Sequence, residues 1–141
     1  MAVQETYESV KKQVEKAQFE YMIKVQQRQN FMDKAAEMRR VYDELADDKR
    51  NVEGQRNIIC QVRDNRFEDF KGDVYNNRYL TQLDNIINSY NRVINGLDAN
   101  MDALNWKIAE VQNEAYNLDG PLGFLEKGIN RLNTRLENWV N

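Results

Sequence analysis

With 141 residues the chain is of single-domain size, and 20 basic residues against 23 acidic ones leave a formal charge of -3. Dividing it after Phe70 puts 13 basic and 14 acidic residues in the first part, 7 and 9 in the second. Neither part offers the concentrated basic face that a nucleic-acid binder uses to displace counterions. A chain that is 41% hydrophobic and 30% charged suits thin helical rods, each with a narrow apolar seam, better than a compact globule.

No apolar run approaches the ~20 residues needed to cross a bilayer, so no membrane insertion is expected. The opening residues, Met1 to Glu8, show no basic region followed by an apolar one, the pattern of a secretory signal. Cys60 is the only cysteine, which excludes an internal disulfide and a thiolate metal site. These features point to synthesis and first use in the cytosol.

In chain order, the first element is a long helix over about residues 3–63. Val3, Tyr7, Val10, Val14, Ala17 and Tyr21 follow steps of three and four, and Phe31, Ala35, Met38, Tyr42, Leu45 and Val52 resume them. Lys24, Arg28 and Lys49 interrupt the stripe, either snorkelling past the seam or setting register at some cost in stability. Glu, Gln, Lys, Arg and Ala abound and β-branched residues are sparse, so propensity agrees with period. Cys60, among Ile58, Ile59 and Val62, reads as a small buried hydrophobe.

Register is lost between residues 64 and 73. Gly72 supplies a stop there and Asp73 an N-cap, so the turn of an antiparallel hairpin falls in this segment. A second helix over about residues 74–119 would run roughly 70 Å. Its stripe passes through Leu80, Leu83, Ile87, Tyr90, Ile94 and Leu97, then Met101, Leu104, Ile108, Val111, Ala115 and Leu118. Every step is apolar or aromatic, the signature of a coiled-coil seam. Trp106 lies off this stripe, either as an interface anchor or as lateral packing against the first helix. Gly54 and Gly96 are tolerable in helix interiors at about 1 kcal/mol each.

The second break is Asp119-Gly120-Pro121, with the only proline of the chain at the first position of a new helix over about residues 121–140. The stripe continues in register through Leu122, Leu125, Ile129, Leu132, Leu136 and Trp139. A kink in one rod is the simpler reading and a separate arm the alternative. The fold class is therefore all-α: an elongated, coiled-coil-like antiparallel helical hairpin with a C-terminal helix after a Gly-Pro break.

Nothing in the sequence builds a reaction centre. Histidine is absent, which removes the commonest general base and metal ligand. The glycines are isolated, so no phosphate-binding loop is formed. Asp43, Glu44, Asp47 and Asp48 sit beside Lys49 and Arg50 in a helical pattern and read as a solvated face rather than a metal site. Glu110 and Glu114 lack the histidine that carboxylate-bridged bundle metal sites add three residues after a glutamate. No catalytic, metal or cofactor residue is expected, and the chain is expected not to be an enzyme.

Phe70-Lys71-Gly72 between two long helices resembles the Trp-x-Gly turn of the small WXG-type helical proteins of type VII secretion. More closely, the chain resembles the YwqH-like proteins associated with LXG toxins in Gram-positive bacteria. The features shared are the long first helix, the aromatic-x-Gly turn and a second helix with spaced aspartates such as Asp84 and Asp98. A Gly120-Pro121-Leu122-Gly123-Phe124-Leu125 stretch then leads into the last helix. Phe70 stands where the family has tryptophan, and no Tyr or Phe is followed four residues later by Asp or Glu, the spacing of an export signal.

The resemblance implies a targeting factor or chaperone that binds the helical N-terminal domain of an LXG toxin, with another small helical protein as a possible third member. It places the chain in the cytoplasm, with co-export through the secretion apparatus as a further implication. A hetero-oligomer is the expected state, because Lys24, Arg28 and Lys49 suit a seam whose partner supplies carboxylates. A self-associating scaffold is the alternative. The interface residues expected are Trp106, Leu122, Leu125, Ile129, Leu132, Leu136 and Trp139.

Overall fold

The computed structural model describes residues 5–65 and 73–139. Three helices account for nearly all of them: α1 (Tyr7–Asp64), α2 (Asp73–Asn117) and α3 (Asp119–Trp139). Among the described residues there is no strand, so the chain is all-helical. The turn motif Phe70-Lys71-Gly72 lies outside the described residues.

Helix α1 starts a few residues later than the apolar spacing predicts, and the cause is a cap. The Ser9 amide donates to the Thr6 hydroxyl at 3.1 Å, and the Thr6 amide donates to the Ser9 hydroxyl at 3.0 Å. This reciprocal pair satisfies two amide donors, as a capping box does, with serine in place of the usual Glu or Gln. The first helical bond, from the Val10 amide to the Thr6 carbonyl at 3.1 Å, closes behind it.

The second break also differs from expectation in position. Helix α2 ends at Asn117, Leu118 is a turn residue and α3 begins at Asp119, ahead of Gly120-Pro121. Proline has no amide hydrogen, and its ring crowds the carbonyl four residues earlier, which here belongs to Asn117. The helix therefore stops one turn before Pro121. The Leu118 amide tightens to the Ala115 carbonyl at 3.2 Å, and the Leu122 amide resumes the helical pattern on Leu118 at 2.9 Å. No residue in the break needs a positive φ.

Two compact units divide the chain. One combines the residues up to Glu37 with those from Ile108 onward; the other runs from Met38 to Lys107. In the first, Val10, Val14, Ala35, Ile108, Val111 and Ala115 are buried, and all belong to the sequence stripes. Arg28 reaches Asp119 at 2.7 Å, Arg135 pairs with Glu5, and the Tyr7 and Trp139 rings meet edge to face at 6.4 Å. Rising numbers on one strand of the hairpin thus meet falling numbers on the other, so the helices of this unit are antiparallel.

In the Met38–Lys107 unit the same direction is set by a ladder. Arg63 donates to Asp84 at 2.6 Å, Arg56 to Asn91 at 3.0 Å and Lys49 to Asp98 at 2.6 Å. Each rung is seven residues along α1 and seven along α2 from the last, two helical turns on both. Leu83 and Ile94 form the buried core beside it.

Candidate protein-binding surfaces

Three kinds of surface arise from how the stripes are filled. The first is closed by charge. Arg28 and Lys49, which interrupt the apolar stripe of α1, find carboxylates within the chain, at Asp119 and Asp98. The expectation that a partner protein supplies those carboxylates is therefore corrected: α2 and α3 supply them. The spaced aspartates Asp84 and Asp98 acquire a structural role as acceptors for Arg63 and Lys49. Both cations are held protonated beyond their ordinary range, chiefly by these hydrogen bonds; desolvation opposes them, ranking ahead of the attraction of the carboxylate at Lys49 and behind it at Arg63.

The stripe of α3 forms the second kind. Leu122, Leu125, Ile129, Leu132 and Leu136 are all half-buried. Ile129 lines a shallow groove with Tyr21 and Gln18 of α1, and Trp139 meets Tyr7. These residues share the side of α3 that faces α1, so their apolar surface is taken up largely within the first unit.

Exposed apolar residues form the third kind. Trp106 is 79% exposed on α2, facing away from the buried stripe as its spacing predicts, with Ala99 and Ala103 on the same outward side. Phe124 is equally exposed on α3. Gly120 and Gly128 lie four residues to either side of it, and neither has any atom within 4 Å of where a Cβ would be. A large ring thus stands between two stretches of bare helical backbone. On α1, Phe19, Met22 and Ile23 share one face at 64%, 68% and 43% exposure. Their signal in the sequence is an i, i+3, i+4 triplet that breaks the register of the main stripe.

The Met38–Lys107 unit has two unlike sides. On the ladder side, Ala46, Glu53 and Cys60 of α1 and Asp84, Asn91 and Asp98 of α2 are all half-buried. On the opposite side, Asp48, Gln55 and Val62 of α1 and Ile86, Val93 and Asn100 of α2 are all exposed. A shallow open groove of about 320 Å³ runs there between Ile86, Ser89, Tyr90 and Val93. The Tyr90 hydroxyl donates across to the Gln55 side-chain oxygen at 3.5 Å, which places α1 and α2 on the two banks of this side.

The remaining sequence candidates fall into ordinary surface roles. Asp47 accepts from Arg50 at 2.5 Å and Glu44 from Arg40 at 3.4 Å, one helical turn away in each case. Glu110 and Glu114 are exposed on α2. Among the described residues no group of three or more His, Cys, Asp or Glu side chains could hold a metal ion, and no helix is long and apolar enough to cross a membrane. Comparison with protein families, curated proteins and solved structures finds no match for this chain.

Proposed function

We propose that this chain is a non-enzymatic helical binding partner that targets or chaperones an LXG-type toxin for type VII secretion by packing on the toxin's helical N-terminal domain. The observation that carries the reading is the exposure of Phe19, Phe124 and Trp106 on helices whose own seams are already filled. Side chains of this size left in water are the usual anchors of a protein interface, where a few aromatic residues supply most of the binding energy. A leader made of amphipathic helices presents the complementary surface, an apolar stripe with gaps between its ridges.

The test is co-expression with the helical N-terminal domain of an LXG-type toxin, followed by light scattering of the purified material. A defined hetero-complex is expected. Phe124→Ala and Trp106→Ala are expected to weaken it at least tenfold each, with the far-ultraviolet circular dichroism of the free chain unchanged. No complex with such a toxin domain, at any ratio of the two chains, would sink the reading.

A further inference from the structure

We propose that one side of the α1–α3 pair, where six cations surround Ile23 and Phe124, is a peripheral membrane-binding surface that lies on the anionic headgroups of a lipid bilayer. The proposal does not rest on the toxin reading and is tested without a toxin.

Helical spacing sorts charge to opposite sides of the seam between these two helices. On α3, Phe124, Arg131 and Arg135 recur along one side, with Lys127 at its outer edge, while Asp119, Glu126 and Glu137 recur along the other. On α1, Lys16 and Ile23 share one side, with Lys12 toward its outer edge and Lys24 toward the seam; Glu8 and Glu15 lie toward the other side. Two features fix which sides coincide. Arg135 pairs with Glu5, seven residues before Lys12, whereas Gln18, Glu126 and Asn130 line a groove on the opposite side. The first side therefore carries Lys12, Lys16, Lys24, Lys127, Arg131 and Arg135 against Glu5 and Glu20. The second carries Glu8, Glu15, Asp119, Glu126 and Glu137 against Lys11. No half of the sequence shows this sorting, because two helices far apart in the chain contribute to it jointly.

The basic side is not neutralised within the chain. Among the described residues only Arg135 of its six cations has a carboxylate partner, Glu5. Lys127, Arg131 and Arg135 stand one helical turn apart, a spacing at which like charges oppose helix formation. An anionic surface relieves that repulsion. The acidic side faces away across a helix about 10 Å thick, more than the Debye length of about 8 Å at physiological salt, so its repulsion of the same surface is screened.

Breadth and composition select a lipid surface over an acidic protein. The cations extend from Lys127 at the outer edge of α3 to Lys12 at the outer edge of α1, a plane about 20 Å wide and about 20 Å long. A single partner helix, about 10 Å across, would cover only its middle. Four of the six cations are lysines, a residue depleted in protein interfaces and suited to a diffuse layer of headgroup charge. At the centre, Ile23 and Phe124 share one level of the antiparallel pair, between the Arg28–Asp119 bridge and the groove that Tyr21 and Ile129 line. They are 43% and 79% exposed, and nothing lies within 4 Å of a Cβ at Gly120 or Gly128, one turn to either side of Phe124. The ring thus stands clear of the helix and can enter the boundary between headgroups and acyl chains, with no helix crossing the bilayer.

The experiment is co-sedimentation of the full chain with vesicles of phosphatidylglycerol and phosphatidylcholine in equal parts, and with vesicles of phosphatidylcholine alone. Binding is expected to the anionic vesicles only, and to be lost in about 1 M salt. Lys127→Glu combined with Arg131→Glu is expected to weaken it at least tenfold, while Lys11→Glu with Arg92→Glu, an equal change in net charge placed elsewhere, leaves it within about twofold. Circular dichroism checks that each variant keeps its helix. A second measurement leaves the cations intact: in a Cys60→Ser background, a polarity-sensitive dye on Phe124→Cys is expected to shift to the blue on the anionic vesicles, and the same dye on Asn130→Cys is not. Equal binding to both kinds of vesicle overturns the proposal, as does binding that survives the double reversal or a dye at position 124 that does not respond. A wild-type chain that ignores anionic vesicles overturns it too; if the double reversal then weakens the complex with a toxin domain, the side belongs to an acidic protein instead.

Discussion

A cation on an apolar stripe can be a defect, a partner site or a register pin, and its neighbours decide which. Lys49 is a pin: its ammonium lies 2.6 Å from Asp98 and 3.7 Å from Glu53. Asp98 raises the lysine pKa above the ordinary 10.5, so the pair stabilises the folded chain at every pH where lysine is charged in both states. That contribution is fully present below the unfolded lysine pKa and is lost as pH rises through the higher folded value. In urea titrations from pH 8 to pH 12, the wild-type chain is therefore expected to lose stability on the alkaline limb more steeply than Asp98→Asn. Parallel limbs would remove the rung from the account. Burial sets the second expectation at this scale. Ile108, 5% exposed, should cost about 2–4 kcal/mol when cut to alanine, whereas Trp106→Ala should change stability by less than about 0.5 kcal/mol.

Element boundaries depend on backbone chemistry more than on the apolar pattern. The spacing predicts a start near residue 3 because Val3 is in register, yet the helix starts at Tyr7 because Thr6 and Ser9 cap each other. The pattern Thr6-x-x-Ser9 was legible, but a serine is a weaker cap signal than the Glu or Gln usually found at that place. Thr6→Ala is expected to lower unfolding stability by about 1 kcal/mol in chemical denaturation. At the other break, the residue to change is Pro121, although the interruption falls at Leu118. Pro121→Ala restores an amide that can bond to the Asn117 carbonyl and should raise helicity at 222 nm without altering the seam. Gly54 sits exposed in α1 with nothing within 4 Å of a Cβ, so Gly54→Ala should stabilise by about 1 kcal/mol.

For the whole molecule, the question is which surfaces remain once the chain has satisfied itself. The leucines of the last helix form a stripe in register, which declares a side that must be buried without saying against what. Here much of that burial is against α1, with Ile129 beside Tyr21 and Trp139 on Tyr7. Replacing Leu125 and Leu132 together by aspartate is accordingly expected to lower the unfolding midpoint of the isolated chain as well as to weaken partner binding. A variant that loses the partner with its midpoint unchanged would show that the stripe is held in reserve for the partner after all. The exposed set, Phe19, Met22, Ile23 and Phe124, carries no seam signal in the sequence, because each residue lies off the dominant register.

Helical class, the two stripes and the outward position of Trp106 follow from the sequence alone, since they depend only on a period near 3.5 residues and on the propensities of the residues between. Chain direction in each unit is established by the paired side chains of α1, α2 and α3. What only the tertiary structure decided is how charge and apolar area are shared out. A sequence shows that Lys49 and Asp98 exist, 49 positions apart, but not that antiparallel packing in this register brings them within 2.6 Å. The same packing seals one side of the Met38–Lys107 unit and leaves Ile86 and Val93 in water on the other. Period is a local property of one helix; which side is covered is set by the relative rotation of two helices, and that depends on all their contacts at once.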